Sequence, residues 1–172
     1  ENPYEIKIHS NQVAIRFSEA FGGNCIQFFS PAIFSDRVVL QGFLKEMPMQ
    51  NLFRYFEKLS MVVMGIGESS VVGSTLVQNE YMTSQEMEQM IKEGVVGDIC
   101  LRLFDKDGDM ERFAHFNDRV ASITPESLRR IDRRVGITYG SSKAKAALGA
   151  VRGGYVNVLI TDVDCAQRMM DI

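Results

Sequence analysis

The segment Gly140-Ser141-Ser142-Lys143 combines groups that bind phosphate in proteins. Backbone N–H groups at a helix start, serine hydroxyls and a lysine ammonium all donate hydrogen bonds to an anion. A lysine in the first turn of a helix also opposes the helix dipole, and a bound phosphate would offset this. We therefore expect Gly140, Ser141 and Lys143 to contact a phosphate. The alternative is a solvated Lys143 with Ser141 as an ordinary N-cap.

A second glycine-containing segment, Gly65-Ile66-Gly67, follows the apolar run 61–64. Ligands of open α/β sheets gather at the carboxyl ends of strands, where glycines let backbone N–H groups approach an anion. The sequence therefore predicts a turn in which Gly65 and Gly67 line a pocket. A dinucleotide site would need a third glycine and an immediate helix. A plain turn leaving a strand is the alternative.

Asp98 is the third candidate, because it lies near the start of an apolar strand predicted over residues 95–104. A buried carboxylate needs hydrogen-bond donors, and hydroxyl groups commonly supply them. The alternative is a structural cap on a neighbouring loop. Binding of ligand hydroxyls and structural capping both remain open at this point.

The sequence predicts no metal site, catalytic nucleophile or cofactor. The aspartates of the run 105–109 alternate as in a calcium loop, but Gly108 stands at the fourth position instead of the sixth, which favours a hairpin turn. The two histidines, His9 and His115, have no neighbouring ligand set and no evident Ser or Cys partner.

The composition excludes several classes of protein. The 172 residues, 45% hydrophobic and 24% charged, predict one globular domain, residues 1–172. The net charge of −3 argues against a DNA-binding face within this chain. Three well-separated cysteines without a CxxC pair indicate reduced thiols in the cytoplasm, and no apolar run approaches a membrane span. Because the sequence does not start with Met, we expect a fragment.

The hydrophobic pattern predicts an α/β fold, with a Rossmann-like, mostly parallel sheet, flanking helices and one antiparallel hairpin. Asp107-Gly108 predicts the hairpin, between a strand that ends at 104 and the stretch 110–113. Ser35 is expected to cap the second helix. The predicted helices are 10–21, one after Ser35, one from Pro48, 83–94, 124–131, 141–152 and one from Asp162; the strands are 25–29, 61–64, 95–104, 120–123, 135–139 and 155–161.

Seven short motifs, taken in order, form a recognisable series. They are Asn11 with its helix, Ser30-Pro31-Ala32, Gly65-Ile66-Gly67, Gly94-Val95-Val96-Gly97-Asp98, Phe104-Asp105-Lys106-Asp107-Gly108, Gly140-Ser141-Ser142-Lys143 and Val156-Asn157-Val158-Leu159-Ile160-Thr161-Asp162. The series resembles the effector-binding domain of the SorC family of bacterial sugar-responsive transcription regulators. This resemblance extends over nearly the whole chain.

The resemblance implies a fold similar to that of sugar-phosphate isomerases and deaminases, used here to sense a phosphorylated sugar. It implies that Lys143 and the Gly140-Ser141 turn contact the phosphate, that Asp98 binds sugar hydroxyls, and that Gly65 and Gly67 line the pocket. Tyr139 stands where many relatives have a small residue, which would narrow the pocket.

The resemblance also implies partners. In characterised members an N-terminal helix-turn-helix segment binds operator DNA, and we expect residues 1–172 to contain neither that segment nor the family's first phosphate loop. We expect a non-catalytic domain that relays sugar binding through a homo-oligomer, a dimer or tetramer. One alternative is a sugar-phosphate isomerase or deaminase with Asp98 as general base. Another is an assembly domain with a vestigial pocket.

Overall fold

The computed structural model describes residues 10–172, so His9 lies outside the described residues. The chain divides into two compact units, Glu1–Pro31 and Ala32–Ile172. The single domain that the length predicts stays a prediction. No helix of the described part is long and apolar enough to cross a membrane.

In the first unit, helix α1 (Ser10–Phe21) confirms the helix predicted over 10–21. It ends at Gly22, which has a φ of 68°. The strand predicted over 25–29 is wrong, because that segment is irregular. The Asn11 side chain donates to the Phe28 carbonyl at 3.1 Å and accepts from the Phe28 N–H at 3.4 Å. These side-chain bonds satisfy backbone groups that a neighbouring strand would otherwise pair.

The second unit is built on a five-stranded sheet. Its strands are β1 (Met61–Glu68), β2 (Val95–Ile99), β3 (Arg102–Asp105), β4 (Arg133–Ile137) and β5 (Val158–Ile160). Their order is β3-β2-β1-β4-β5. Strands β1, β4 and β5 are parallel, whereas β2 pairs antiparallel with both β1 and β3. The predicted class, an α/β sheet with one antiparallel hairpin, is confirmed.

The hairpin lies at a different place from the one predicted. Strands β2 and β3 are joined by Cys100 and Leu101, whose φ angles are 52° and 65°. The single strand predicted over 95–104 is therefore two strands. Two-residue turns of this kind usually contain Asn or Gly, so these residues carry no turn signal. Asp107-Gly108 does form a turn, but the 3₁₀ helix Glu111–Phe113 follows it instead of a strand.

Eight helices and three 3₁₀ turns are described in this unit. The helices are α2 (Arg37–Leu44), α3 (Met47–Phe53), α4 (Thr75–Gln78), α5 (Ser84–Lys92), α6 (Ala114–Asn117), α7 (Pro125–Arg129), α8 (Ala144–Arg152) and α9 (Val163–Met170); the 3₁₀ turns are Phe56–Lys58, Glu111–Phe113 and Ser141–Lys143. The helix start predicted at Pro48 is confirmed by α3.

The helix caps follow from local sequence in most cases. Thr83 and Glu86 form a capping box at the start of α5, the helix predicted over 83–94. The cap of α2 is Asp36, whose carboxylate accepts from the Val39 N–H, and not the predicted Ser35. The strand predicted over 120–123 is reduced to one isolated bridge between Val120 and Ile33.

Helices cover the two faces of the sheet to different extents. On one face, Met64 and Ile66 of β1 pack in a buried cluster with alanines of α8 and with Cys165 of α9. On the other face, a second cluster that includes Leu103 and Met87 covers β2 and β3. The rest of that second face, over β1, β4 and β5, is exposed.

Candidate functional site

An uncovered apolar surface occupies the second face of β1, β4 and β5. Residues in register across three strands share a face, as Gly65, Ile137 and Ile160 do in one row. We call the following exposed residues the open sheet face: Met61, Val63, Gly65, Ile137, Val158 and Ile160. Since parallel sheets are normally covered on both faces, this surface is available to a ligand or another segment.

Asp98 lies at the border between the covered and the open part of this face. It pairs with Leu103 on one side and with Gly67 on the other. Its carboxylate occupies the place that a side chain at Gly67 would need, since a Cβ there would lie 2.1 Å from Asp98 Oδ1. Asp98 is 8% exposed. The residue is therefore a buried carboxylate beside a strip of backbone without side chains.

Burial determines the ionisation of this carboxyl. Loss of hydration raises the pKa of Asp98 to about 6, because the charged form is disfavoured away from water. A hydrogen bond from the Leu101 backbone and the positive charge of Lys143 offset only part of that increase. Additional hydrogen-bond donors would be needed to stabilise the ionised form further.

Lys143 brings an ammonium to the same edge of the sheet. The 3₁₀ turn Ser141–Lys143 continues directly into α8, so Lys143 lies in the first turn, as predicted. Its Nζ is 3.5 Å from the Ile66 carbonyl oxygen at the carboxyl end of β1. Neither of the two ion pairs found within residues 10–172 includes Lys143. The ammonium is thus close enough to influence Asp98 without being bound to it.

Gly140 and Ser141 shortly precede Lys143 in the chain, at the start of the same 3₁₀ turn. The Gly140 N–H donates to both carboxylate oxygens of Asp162, each at 3.1 Å, so it already has an acceptor within the fold. Its φ of 90° requires glycine at this position. Ser141 is exposed, and no side-chain cap bond is present at the start of this turn or of α8. The N-cap alternative for Ser141 is therefore wrong.

The predicted turn at Gly65-Ile66-Gly67 is also wrong. These residues continue β1 to Glu68, because β2 pairs antiparallel with the end of β1. Their N–H groups belong to a sheet and not to an anion-binding turn. Gly65 leaves open space on this face, whereas Gly67 makes room for the Asp98 carboxylate, which fills the position of its missing side chain.

Three polar residues at the carboxyl ends of the strands were not predicted as site residues from the sequence. The hydroxyl oxygens of Ser69, Thr138 and Thr161 are buried and have no hydrogen-bond partner within residues 10–172. They directly follow β1, β4 and β5, whose carboxyl ends lie at one edge of the sheet. The sequence signal that could have found them is a polar residue directly after an apolar strand. Buried polar atoms without partners are rare enough to mark this edge as unusual.

A cleft of about 540 Å³ lies elsewhere in the second unit, between α2 and residues 117–126. Arg102 lines it, but its guanidinium donates to the carbonyl oxygens of Val120 and Ile123. That arginine therefore supports the fold. The cleft contains none of the candidate residues Gly65, Gly67, Asp98, Gly140, Ser141 and Lys143.

Alanine substitutions at Gly65 and Gly67 should show which of the two positions on the sheet face is filled and which is open. Gly67→Ala should reduce the free energy of unfolding by about 1–3 kcal/mol, because its Cβ overlaps the Asp98 carboxylate. Gly65→Ala, the matched control, should change it by less than about 0.5 kcal/mol, since no described heavy atom lies within 4 Å of that Cβ. Urea unfolding measures both values. Equal losses would show that the face at Gly65 is not open.

Comparison with known proteins places the chain in a family. It matches the family described as "Putative sugar-binding domain" over residues 2–171. The chain belongs to this family. The resemblance to the sugar-binding domain of SorC-type regulators is thereby confirmed, and the family implies a sugar as the ligand.

The relatives of this sugar-binding domain are regulators of transcription. The sorbitol operon regulator of Klebsiella pneumoniae is 26% identical over 140 residues, 81% of this chain and 44% of that protein. The deoxyribonucleoside regulator of Bacillus subtilis is 26% identical over 166 residues, 96% of this chain and 52% of that protein. A transcriptional regulator from Streptococcus pneumoniae TIGR4 has a solved structure with a TM-score of 0.86 and 26% identity, covering 95% of this chain and 63% of that one. The chain spans about half the length of the curated relatives it matches.

Proposed function

We propose that this domain binds a small phosphorylated sugar at the carboxyl edge of β1 and β4 and is the effector-sensing part of a bacterial transcription regulator. The observation that carries the proposal is the buried carboxylate of Asp98 near an ammonium, Lys143, that no carboxylate pairs within residues 10–172. Ligands of open α/β sheets bind at this edge.

Each end of such a ligand finds a suitable group. Sugar hydroxyls donate to Asp98, whose ionised form lacks enough donors in the free protein. The sugar lies over Gly65, where no described heavy atom stands within 4 Å of a Cβ position, and beside the Asp98 carboxylate that covers Gly67. The phosphate accepts from the Lys143 ammonium, and the exposed Ser141 lies on the same turn.

The remaining parts of this proposal concern the whole protein. Because the relatives are about twice as long as this chain, operator DNA would be contacted by a segment outside residues 1–172. Occupancy of the sugar site would be relayed through contacts within a homo-oligomer, a dimer or tetramer. Such a regulator works in the bacterial cytoplasm, which suits three free thiols.

An enzymatic role is the second candidate, and one observation favours it. A carboxyl with a pKa of about 6 would suit a general base for sugar-phosphate isomerisation. Against it, the named relatives regulate transcription. We propose that the domain binds without turnover. Conversion of a sugar phosphate by the purified chain, followed by NMR, would favour the enzyme instead.

A ligand screen tests the proposed function. The melting temperature of the 172-residue chain should rise with one or more pentose or hexose phosphates and remain unchanged with the same sugars lacking phosphate. At a ligand concentration one hundred times Kd, binding adds about 2.7 kcal/mol to the free energy of unfolding. Equal shifts with phosphorylated and plain sugars would remove the phosphate from the proposal, and no shift with any sugar would reject the site.

A further inference from the structure

Tyr139 is an aromatic side chain left in solvent at the edge of the proposed site. It lies two residues after Ile137, the last residue of β4, and it is 76% exposed. Large aromatic side chains usually bury most of their surface, so such exposure beside a binding edge calls for an explanation.

The position of Tyr139 relative to Lys143 is defined by a distance. The Lys143 Nζ is 6.0 Å from the centre of the Tyr139 ring. That is the outer limit of a cation–π contact, so the ammonium alone explains little of the ring's position. It does locate the ring next to the group proposed to hold the phosphate. Ile137, two residues before Tyr139, is exposed and lies in the same row of the sheet as Gly65. Both residues belong to the open sheet face.

A sugar in ring form has an apolar face of C–H groups and a rim of hydroxyls. We propose that Tyr139 makes the site selective for ring-form sugars by stacking its aromatic face on those C–H groups, while Asp98 binds the rim. This inference rests on the proposed function and adds the class of ligand to it. An open-chain polyol phosphate offers hydroxyls and the same phosphate but no flat C–H face, so the tyrosine ring gains little from contact with it.

The test compares pairs of ligands that share a carbon chain and a phosphate, one with a ring and one without. Affinities of the full chain for aldose phosphates, and for the alditol phosphates made by reducing them, are measured by calorimetry. Tyr139→Ala should weaken the ring-form ligand about three- to tenfold and change the alditol phosphate less than twofold. Tyr139→Phe should retain the wild-type preference, because the ring and not the hydroxyl is responsible. Tyr55→Ala, which removes another exposed tyrosine, is the control.

The outcomes separate this inference from the proposed function. If wild type binds sugar phosphates and Tyr139→Ala keeps the ring-form affinity, the role of Tyr139 is rejected and the proposed function stands. Equal losses for ring-form and open-chain ligands would also reject it, since the side chain would then act on the phosphate through Lys143. If wild type binds no member of either series, both proposals fail.

Discussion

Asp98→Asn is expected to stabilise the free protein and to lower its affinity for a phosphosugar. At pH 8 the free energy of unfolding should rise by about 2–3 kcal/mol, because the variant no longer buries a carboxylate whose pKa is raised from 3.8 to about 6. Affinity for a phosphosugar should fall about ten- to a hundredfold, since a charged hydrogen bond is typically worth about 1.5–3 kcal/mol. Opposite signs for stability and binding are typical of residues kept for function.

The pH dependence of stability provides a second measurement on the same residue. A raised carboxyl pKa means that the folded protein holds its proton more tightly than the unfolded chain. The contribution of Asp98 is therefore complete below pH 4 and is lost as the pH rises through about 6. Urea unfolding between pH 4 and 8 should show this loss in wild type and not in Asp98→Asn. Asp132→Asn, at an exposed position, should behave as wild type.

If the stability of Asp98→Asn still fell with rising pH, another titratable group would be responsible for the pH dependence. If instead the variant were less stable at every pH, Asp98 would be a structural cap, which is the alternative that the sequence leaves open. Phosphosugar affinity of wild type should also rise with pH between 5 and 7, because hydroxyl donors favour the ionised carboxylate. A flat affinity profile would contradict direct contact.

Elements with local signals were predictable from the sequence. The capping box at Thr83 and Glu86 and the cap at Thr124 lie entirely within a few residues, and both helices are present. The β2–β3 hairpin was not predictable, because Cys100 and Leu101 adopt positive φ without being turn residues. Pairing with β1 and burial of Leu103 hold that turn in place, and such long-range packing leaves no mark in a short window of sequence.

The candidate site was predictable only in part, for a related reason. Asp98 and Lys143 were recognised because each is unfavourable where it stands, a carboxylate in an apolar strand and a cation at a helix start. The turn predicted at Gly65 and Gly67 was wrong, since glycines after an apolar run look the same in a turn as in a strand that continues. Antiparallel pairing with β2 makes this segment a strand, and that pairing depends on the tertiary structure.

Lys143→Ala should weaken a phosphosugar about ten- to a hundredfold while changing the free energy of unfolding by less than about 0.5 kcal/mol at pH 5. The ammonium donates to the Ile66 carbonyl at 3.5 Å, and neither ion pair within residues 10–172 includes it, so its removal affects the free fold little. Inorganic phosphate should compete with the sugar phosphate in wild type. Lys145→Ala, which changes an exposed lysine two residues later on α8, is the matched control.

Two readouts together decide whether Lys143 acts on the ligand or on the fold. Its positive charge lowers the pKa of Asp98, so Lys143→Ala should move the loss of stability to higher pH in the free protein. This shift reports proximity to Asp98 and needs no ligand. A shifted profile with unchanged phosphosugar affinity would make Lys143 a counterion of Asp98, and the phosphate would have to bind elsewhere. An unshifted profile with lost affinity would mean that the ammonium acts on the phosphate independently of the carboxylate.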